Sequence, residues 1–326
     1  MTGGDPRVTT GEQHTAAAFR SAVRDGRLDL PLPGGGRTAE RWRRLVELGR
    51  ADPALARLGE GHADALAILA ELGAAIDPGW RREPWGVWAA APASVTASRD
   101  GSRWRLTGDR PWCSGAGLLS RALVTAVAAD EVRLFAIDVG AAGVTPLAGT
   151  WPAVGMAASD SRTVRFDGVT AVPVGGPGGY TARPGFWHGG LGVAACWYGG
   201  AVGIADTLHA AARRRDLGPH AMAHLGAVDV ALTAARAVLF AAADEVDANP
   251  TGDADRLAHR VRATVEATAT AVVDRVGRAL GAGPLCQDAD HARRVADLTV
   301  YVRQSHAEAD LAHLGELVTA EGDPGW

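Results

Sequence analysis

From residue 85 to residue 174 apolar side chains recur at every second position, whereas before and after that stretch they recur every three to four. A chain whose hydrophobic period switches from 3.6 to 2 and back places a sheet between two sets of helices. The pattern predicts strands at 85–90, 93–99, 103–107, 121–128, 131–138 and 162–167, with 99–102 and 129–131 as hairpin turns. Upstream it predicts helices at 11–26 and 38–50, separated by Pro31-Leu32-Pro33-Gly34-Gly35-Gly36, which no helix can cross. Another helix starts at Asp52-Pro53, with proline at its favoured first position, and a further one runs from about His62 to Gly73. Downstream, 186–215, 220–247, 254–281 and 289–315 are long helices with short breaks, which makes neighbours antiparallel. In the second of these, Leu225, Val228, Leu232, Ala235, Leu239, Ala242 and Val246 alternate spacings of three and four, the seam of a bundle. The fold class is α+β, mostly α: an N-terminal helical domain (1–83), a middle antiparallel β-domain (84–176) and a C-terminal four-helix bundle (184–318).

Composition narrows the function classes. With 47% apolar and 21% charged residues, 326 residues fill one large core or two to three smaller ones. A formal charge of −4 gives no attraction for polyanions, so nucleic acid is not an expected partner. Every basic side chain besides histidine is arginine, which excludes lysine Schiff-base chemistry. Cys113, Cys196 and Cys286 are scattered without paired spacing, so neither a disulfide framework nor a zinc framework is expected. His220 and His224 have the spacing of metal ligands, but no carboxylate partner is visible in sequence, and no metal is assigned. The Gly34–36 run is not a phosphate loop, because no strand precedes it and no Gly-Lys-Ser/Thr follows. The first residues have no apolar core for secretion, and a reducing cytoplasm is the expected location. Residues 184–205 are uncharged and long enough to cross a bilayer, but they include Pro184, His188 and seven glycines. They are read as a buried helix whose small residues admit close neighbours, not as a membrane span.

The densest chemistry lies in residues 104–128. Trp104 and Leu106 alternate with arginines, Thr107-Gly108-Asp109 has turn chemistry, and Trp112-Cys113-Ser114-Gly115-Ala116-Gly117 precedes the strand at 121–128. So many small residues let a flat ligand or another backbone approach the peptide groups, and Trp112 and Ser114 would offer such a ligand a ring face and a hydroxyl. A plain glycine-rich loop accounts for the same residues, and the two readings stay open on the residues alone.

This stretch resembles the middle domain of the acyl-CoA dehydrogenase superfamily, where a Trp-x-Thr/Ser segment lies against a flavin. A second segment, Val154-Gly155-Met156-Ala157-Ala158-Ser159-Asp160-Ser161, is similar to that family's Gly-Met-Arg-x-Ser stretch and occurs in the right order. The order of helical domain, β-domain and bundle also matches, so the chain is identified as a divergent, shortened member. The resemblance implies FAD, with Trp112 stacking on the flavin, Ser114 bonding its ring edge and Gly115 completing the platform. It implies that Arg214 reaches the FAD pyrophosphate across a subunit interface and that Gly281 and Gly283 take the adenylate side of a neighbour's cofactor. Arg214 equally suits a solvated helix end, and the glycines a helix stop.

The departures bear on activity. The family's Thr-Glu-Pro-x-Ala-Gly-Ser-Asp segment falls at residues 89–94, Ala-Ala-Ala-Pro-Ala-Ser, without its polar groups, and the Gln of its Phe-Gln-Ala-Val segment is Gly226. The C-terminal glutamate that abstracts the α-proton is replaced by Ser305, and Glu308, three residues on, is the candidate substitute if one helix carries both. The resemblance implies desaturation of a small-molecule acyl thioester. The alternatives are a flavin-dependent monooxygenase of the same fold, which also lacks the glutamate, and a degenerate subunit assembled with an active homologue. A homodimer or homotetramer is expected, and a membrane partner is not.

Overall fold

Three helices come first, α1 (Thr10–Arg24), α2 (Thr38–Ala51) and α3 (Pro53–Glu71), in a computed structural model that describes residues 10–74 and 77–320. The start of α2 is capped from far along the chain. Asp247 accepts hydrogen bonds from Thr38 N at 2.9 Å, Gly36 N at 3.0 Å and the Thr38 hydroxyl at 2.6 Å. That places a carboxylate at the positive end of the helix dipole. Asp52 caps α3 through Ala54 N and Leu55 N, at 2.8 and 3.1 Å. Where the sequence predicts two helices there is one, running through Gly59 and Gly61. Burial of Leu58, Ala65, Ile68 and Leu69 outweighs the roughly 1 kcal/mol that each glycine costs a helix.

The strands are β1 (Trp85–Trp88), β2 (Thr96–Asp100), β3 (Arg103–Cys113), β4 (Arg121–Ala128), β5 (Glu131–Asp138), β6 (Val144–Pro146) and β7 (Arg162–Val174). Their pairings close into a ring, β4–β5–β7–β3–β2 and back to β4, with β1 beside the first half of β4 and β6 on β7. The pairings are antiparallel except those of β4 with β1 and β2, which are parallel. β4 is apolar and buried at nearly every residue, as befits a strand covered on both faces. The β4–β5 hairpin turns on Ala129 and Asp130, both at positive φ (49° and 69°), the geometry a two-residue hairpin needs. The predicted turn at Thr107-Gly108-Asp109 is instead a bulge inside β3, where the register against β7 shifts between Leu106 and Gly108. Gly108 has φ +127°, and a Cβ there would sit 3.0 Å from Ser94 O, so close backbone approach, not chain reversal, requires the glycine.

The chain divides into two compact units. The first holds the chain up to Leu30, Arg57–Ala153 and Ala157–Phe186; the second holds Pro31–Ala56, Val154–Met156 and the chain from Trp187. In the first unit Ile68, Leu69, Trp85, Leu123, Leu134 and Val174 share one core. His62 of α3 is fully buried; its Nδ1 accepts from Trp85 N at 3.2 Å, and its Nε2 has no hydrogen-bond partner among the described residues. Burial pushes its pKa down to about 4. Arg110 is 1% exposed and donates to Thr125 Oγ1 and Ala90 O, each at 2.7 Å. Because β3 and β4 are not paired, the bond to Thr125 spans the interior. The short α4 (Gly179–Ala182) follows β7.

The second unit gathers α2, most of α5 (Gly185–Arg214), α6 (Gly218–Ala248), α7 (Asp255–Leu280), α8 (Gly283–Gln287), α9 (Ala289–Tyr301) and α10 (Glu308–Ala320). The glycines of α5 work as the sequence predicts. A Cβ at Gly199 would meet Val46 O and lie 2.9 Å from Arg50 N, and one at Gly203 would lie 2.5 Å from Arg50 O. On the facing helix, a Cβ at Gly49 would meet Cys196 O. The α2 and α5 backbones therefore touch. The apolar stretch of α5 is 78% buried, that of α6 only 22%. Val228, Ala235, Leu239, Ala242 and Val246 are buried along the α6 seam, whereas Leu225 and Leu232 are half-buried and Val230, on another face, is 69% exposed. The predicted helix 289–315 is broken. After α9 come a 3₁₀ turn at Val302–Gln304, an extended Ser305 and Ala307 at φ 49°, before α10 begins at Glu308.

Candidate functional site

The end of β3 is shaped by conformational strain. Trp112 has φ 59° and is 60% exposed. A bulky residue held in the left-handed region costs free energy, and an indole left in water gains nothing from burial, so Trp112 is a candidate site residue. Met156 (φ 60°) and Asp160 (φ 46°) share this conformation, so both segments singled out by sequence carry it.

Within the first unit the segments around residues 114 and 160 are stitched together. Gly115 N donates to Ser159 O at 2.8 Å, Ala116 N to Asp160 O at 3.0 Å, and Gly117 N to Asp160 Oδ2 at 2.7 Å. Arg162 Nε holds the other carboxylate oxygen at 2.6 Å. The glycines are accounted for by these contacts. A Cβ at Gly115 would lie 2.9 Å from Leu119 Cγ, and one at Gly117 2.7 Å from Asp160 Oδ2. Gly115 is buried and its amide is used; Gly117 is exposed with its amide bonded to Asp160, Trp112 is exposed and Ser114 half-buried. Ser114 Oγ lies 3.0 Å from Ser161 Oγ, which lies 2.8 Å from Ser159 Oγ. Run outward from Ser159, this chain of hydroxyls leaves the Ser114 proton for a ligand acceptor. Ser114 O accepts from the Trp88 indole at 2.9 Å, which fixes the backbone beneath. Cys113 is fully buried and its pKa is pushed up to about 12 by burial, so it stays an inert thiol.

The other sequence-predicted residues lie in the second unit. Arg214 is exposed in the last turn of α5, its Nε donating to Ala210 O at 3.1 Å, with no ion pair among the described residues. Gly281, at φ +67°, ends α7, Gly283 opens α8, and both are exposed with open space where a Cβ would stand. Ser305 is 9% exposed, with its Oγ accepting from Ala307 N at 3.3 Å. Glu308 is exposed and opens a new helix, so it does not share a helix face with Ser305. This corrects the substitution inferred from an unbroken helix. The Ser-x-x-Glu at 305–308, a helix-start signature, was the available signal. His224 Nδ1 stands 3.5 Å from Arg275 Nη1.

Sequence reasoning missed Asp297. It is 1% exposed on the buried face of α9, and its Oδ1 accepts from Met156 N at 2.5 Å. Burial, opposed by that bond, raises its pKa to about 6, with Asp52 adding to the rise and Arg293, 3.6 Å away, countering it. The signal was an acid four residues before Tyr301 on the apolar stripe of a helix.

A strand ring followed by a long-helix bundle, with helices before it, is the acyl-CoA dehydrogenase-like fold. Solved structures show it in particular proteins. Nitrososynthase from Micromonospora carbonacea var. africana matches at TM-score 0.78 and 20% identity, covering 96% of this chain and 93% of that one. Dibenzothiophene monooxygenase TdsC from Paenibacillus sp. A11-2, also solved with FMN and indole, matches at 0.74 and 20%, covering 97% and 98%. Methanesulfinate monooxygenase MsuC from Pseudomonas fluorescens matches at 0.74 and 19%, covering 95% and 96%. No family model and no protein of curated function matches the sequence.

Proposed function

We propose that the protein is a flavin-dependent oxidoreductase of the monooxygenase type, taking FMN on the face offered by Trp112 and Ser114 and oxygenating a small organic substrate. The observation that carries this is position 305. Where the resembled family keeps its proton-abstracting carboxylate there is a buried hydroxyl, and the nearest candidate acid, Glu308, faces solvent. A desaturase needs a base held over its substrate; an oxygenase does not. The likeness to monooxygenases, one of them solved with FMN, supports the same reading and favours FMN over FAD. Acyl thioester desaturation, the first expectation from sequence, has no such support.

The residues suit a flat conjugated ring. The Trp112 indole has no ring partner of its own among the described residues, and the Ser114 hydroxyl can donate to a ring edge. When bound, reduced flavin would supply the two electrons that, with two protons, divide dioxygen into one oxygen atom for the substrate and one water. Trp112 would stack beneath the ring and Ser114 would fix its rotation. Asp297 holds Met156 in its strained conformation and so sets the course of the segment at 154–156.

Flavin titration followed by a coupled assay tests the proposal. The protein, supplied with a flavin reductase, NADH and dioxygen, should bind FMN and incorporate labelled oxygen into an aromatic probe such as indole. Ser114→Ala should weaken FMN binding by about 1 kcal/mol, roughly fivefold. Anaerobic bleaching by an acyl-CoA would return the desaturase reading. Protein that takes up neither FMN nor FAD would leave only an assembly role, consistent with the apolar 89–94 loop.

A further inference from the structure

We propose a divalent metal site at Asp255, His259 and His313, in the second unit and independent of the flavin reading. Asp255 opens α7, His259 lies one turn later on the same face, and His313 reaches across from α10. One ligand atom from each lies within 4.8 Å of the other two. Asp255 Oδ2 is 2.9 Å from His313 Nε2, and Oδ1 is 2.7 Å from His259 Nδ1. The His259 and Asp255 side chains are 10% and 18% exposed, and the Trp187 ring stands 5.1 Å from the His259 ring.

The hydrogen bonds within this cluster leave one ligand atom unused. His313 Nε2 takes up Oδ2. The Nδ1 of His259, however, has hydrogen-bond geometry to the Asp255 backbone oxygen, at 3.0 Å, and not to the nearer Oδ1. Oδ1 is therefore a buried carboxylate oxygen without a hydrogen bond among the described residues. The ion-pair partners of Asp255 among those residues are the two histidines, whose rings stand 4.8 Å apart, so three groups able to ligate a metal converge on one point. A divalent cation shared by the carboxylate and one nitrogen from each ring satisfies all three groups. Two imidazoles and a carboxylate suit Zn²⁺, with a fourth position for water. Glu316 Oε2, 3.9 Å from His313 Nδ1, is placed to hold that ring from outside.

The site has a structural task. No residue of α10 is buried, so packing fastens this helix weakly. A metal bridging His313 to α7 would pin it, converting binding energy into order at residues 308–320.

The test uses the full chain, stripped with a chelator and titrated with Zn²⁺, with Co²⁺ as the optical probe. The expected result is one Zn²⁺ per chain retained through gel filtration, visible Co²⁺ bands of a tetrahedral site, and slowed amide exchange at 308–320 on Zn²⁺ addition. His313→Ala, at a half-exposed position, should keep the wild-type circular dichroism and lose at least about a hundredfold in Zn²⁺ affinity. Asp255→Asn, nearly isosteric, should do the same. Wild-type protein that retains no Zn²⁺, undiminished wild-type affinity in either variant, or exchange at 308–320 indifferent to Zn²⁺ would overturn the proposal.

Discussion

Acid should weaken the first unit through one residue. His62 is fully buried, its Nδ1 lone pair is committed to Trp85 N, and burial holds its pKa near 4 against 6.5 for an ordinary histidine. A group depressed in the folded state contributes stability that is present above its unfolded pKa and lost as pH falls through its folded one. The window is therefore pH 6.5 down to about 4. A shift of roughly 2.5 units at 1.36 kcal/mol each gives about 3 kcal/mol, of which about 2.5 is gone by pH 4.5. The perturbation is His62→Asn, whose amide oxygen can accept from Trp85 N but does not titrate. Urea unfolding of both proteins between pH 7.5 and 4.5 gives the difference in stability at each pH. Taking the difference removes groups common to both, notably Asp297. Its raised pKa acts with the opposite sign: stability present below about 4 is lost as pH rises through 6. The wild-type advantage should shrink by about 2.5 kcal/mol over this range. Parallel curves would refute the assignment of a neutral buried imidazole.

Two glycines should respond oppositely to alanine. Gly199→Ala drives a methyl group into Val46 O and should lower stability by about 1–3 kcal/mol, whereas Gly226→Ala, exposed and with open space around it, should raise it by roughly 0.5–1 kcal/mol. Thermal melts that move in the same direction for both would contradict the close α2–α5 contact. The exposed apolar face of α6 should bury itself against a second copy of the chain, so Val230→Glu should lower the mass measured by light scattering. Wild-type protein that is already monomeric at micromolar concentration would remove that expectation.

What the sequence made legible was governed by short-range physics. The Ala129-Asp130 hairpin, the seam on α6 and the glycines of α5 each follow from residues within a few positions of one another. The errors share a cause as well. Thr107-Gly108-Asp109 has the composition of a turn and of a bulge alike, and only its pairing with β7 decides between them. The break after Tyr301 escapes a periodicity argument because residues 303–310 hold no apolar side chain larger than alanine, so no period is defined there. At the platform, the types of residue were legible but their division of labour was not. Gly115 and Gly117 are required by Leu119 and Asp160, while Trp112 is exposed and Ser114 half-buried. Asp297 and the Asp255–His259–His313 cluster depend on partners up to 141 residues away and leave no local trace beyond a polar residue on an apolar stripe.

The cap on α2 also sets an order of events during synthesis. Thr38 emerges early, but Asp247, which neutralises the start of its helix, lies 209 residues later. At about 5–20 residues per second the ribosome delivers it roughly 10–40 s afterwards. The glycine face of α5 that receives Gly49 is likewise still unmade when α2 appears. Throughout that interval Trp42 and Leu45, fully buried in the finished protein, belong to a helix whose covering elements do not yet exist. The segment at 31–56 thus begins the second unit but is among the last parts of the nascent chain able to settle, and a chain interrupted before α6 leaves it permanently uncapped.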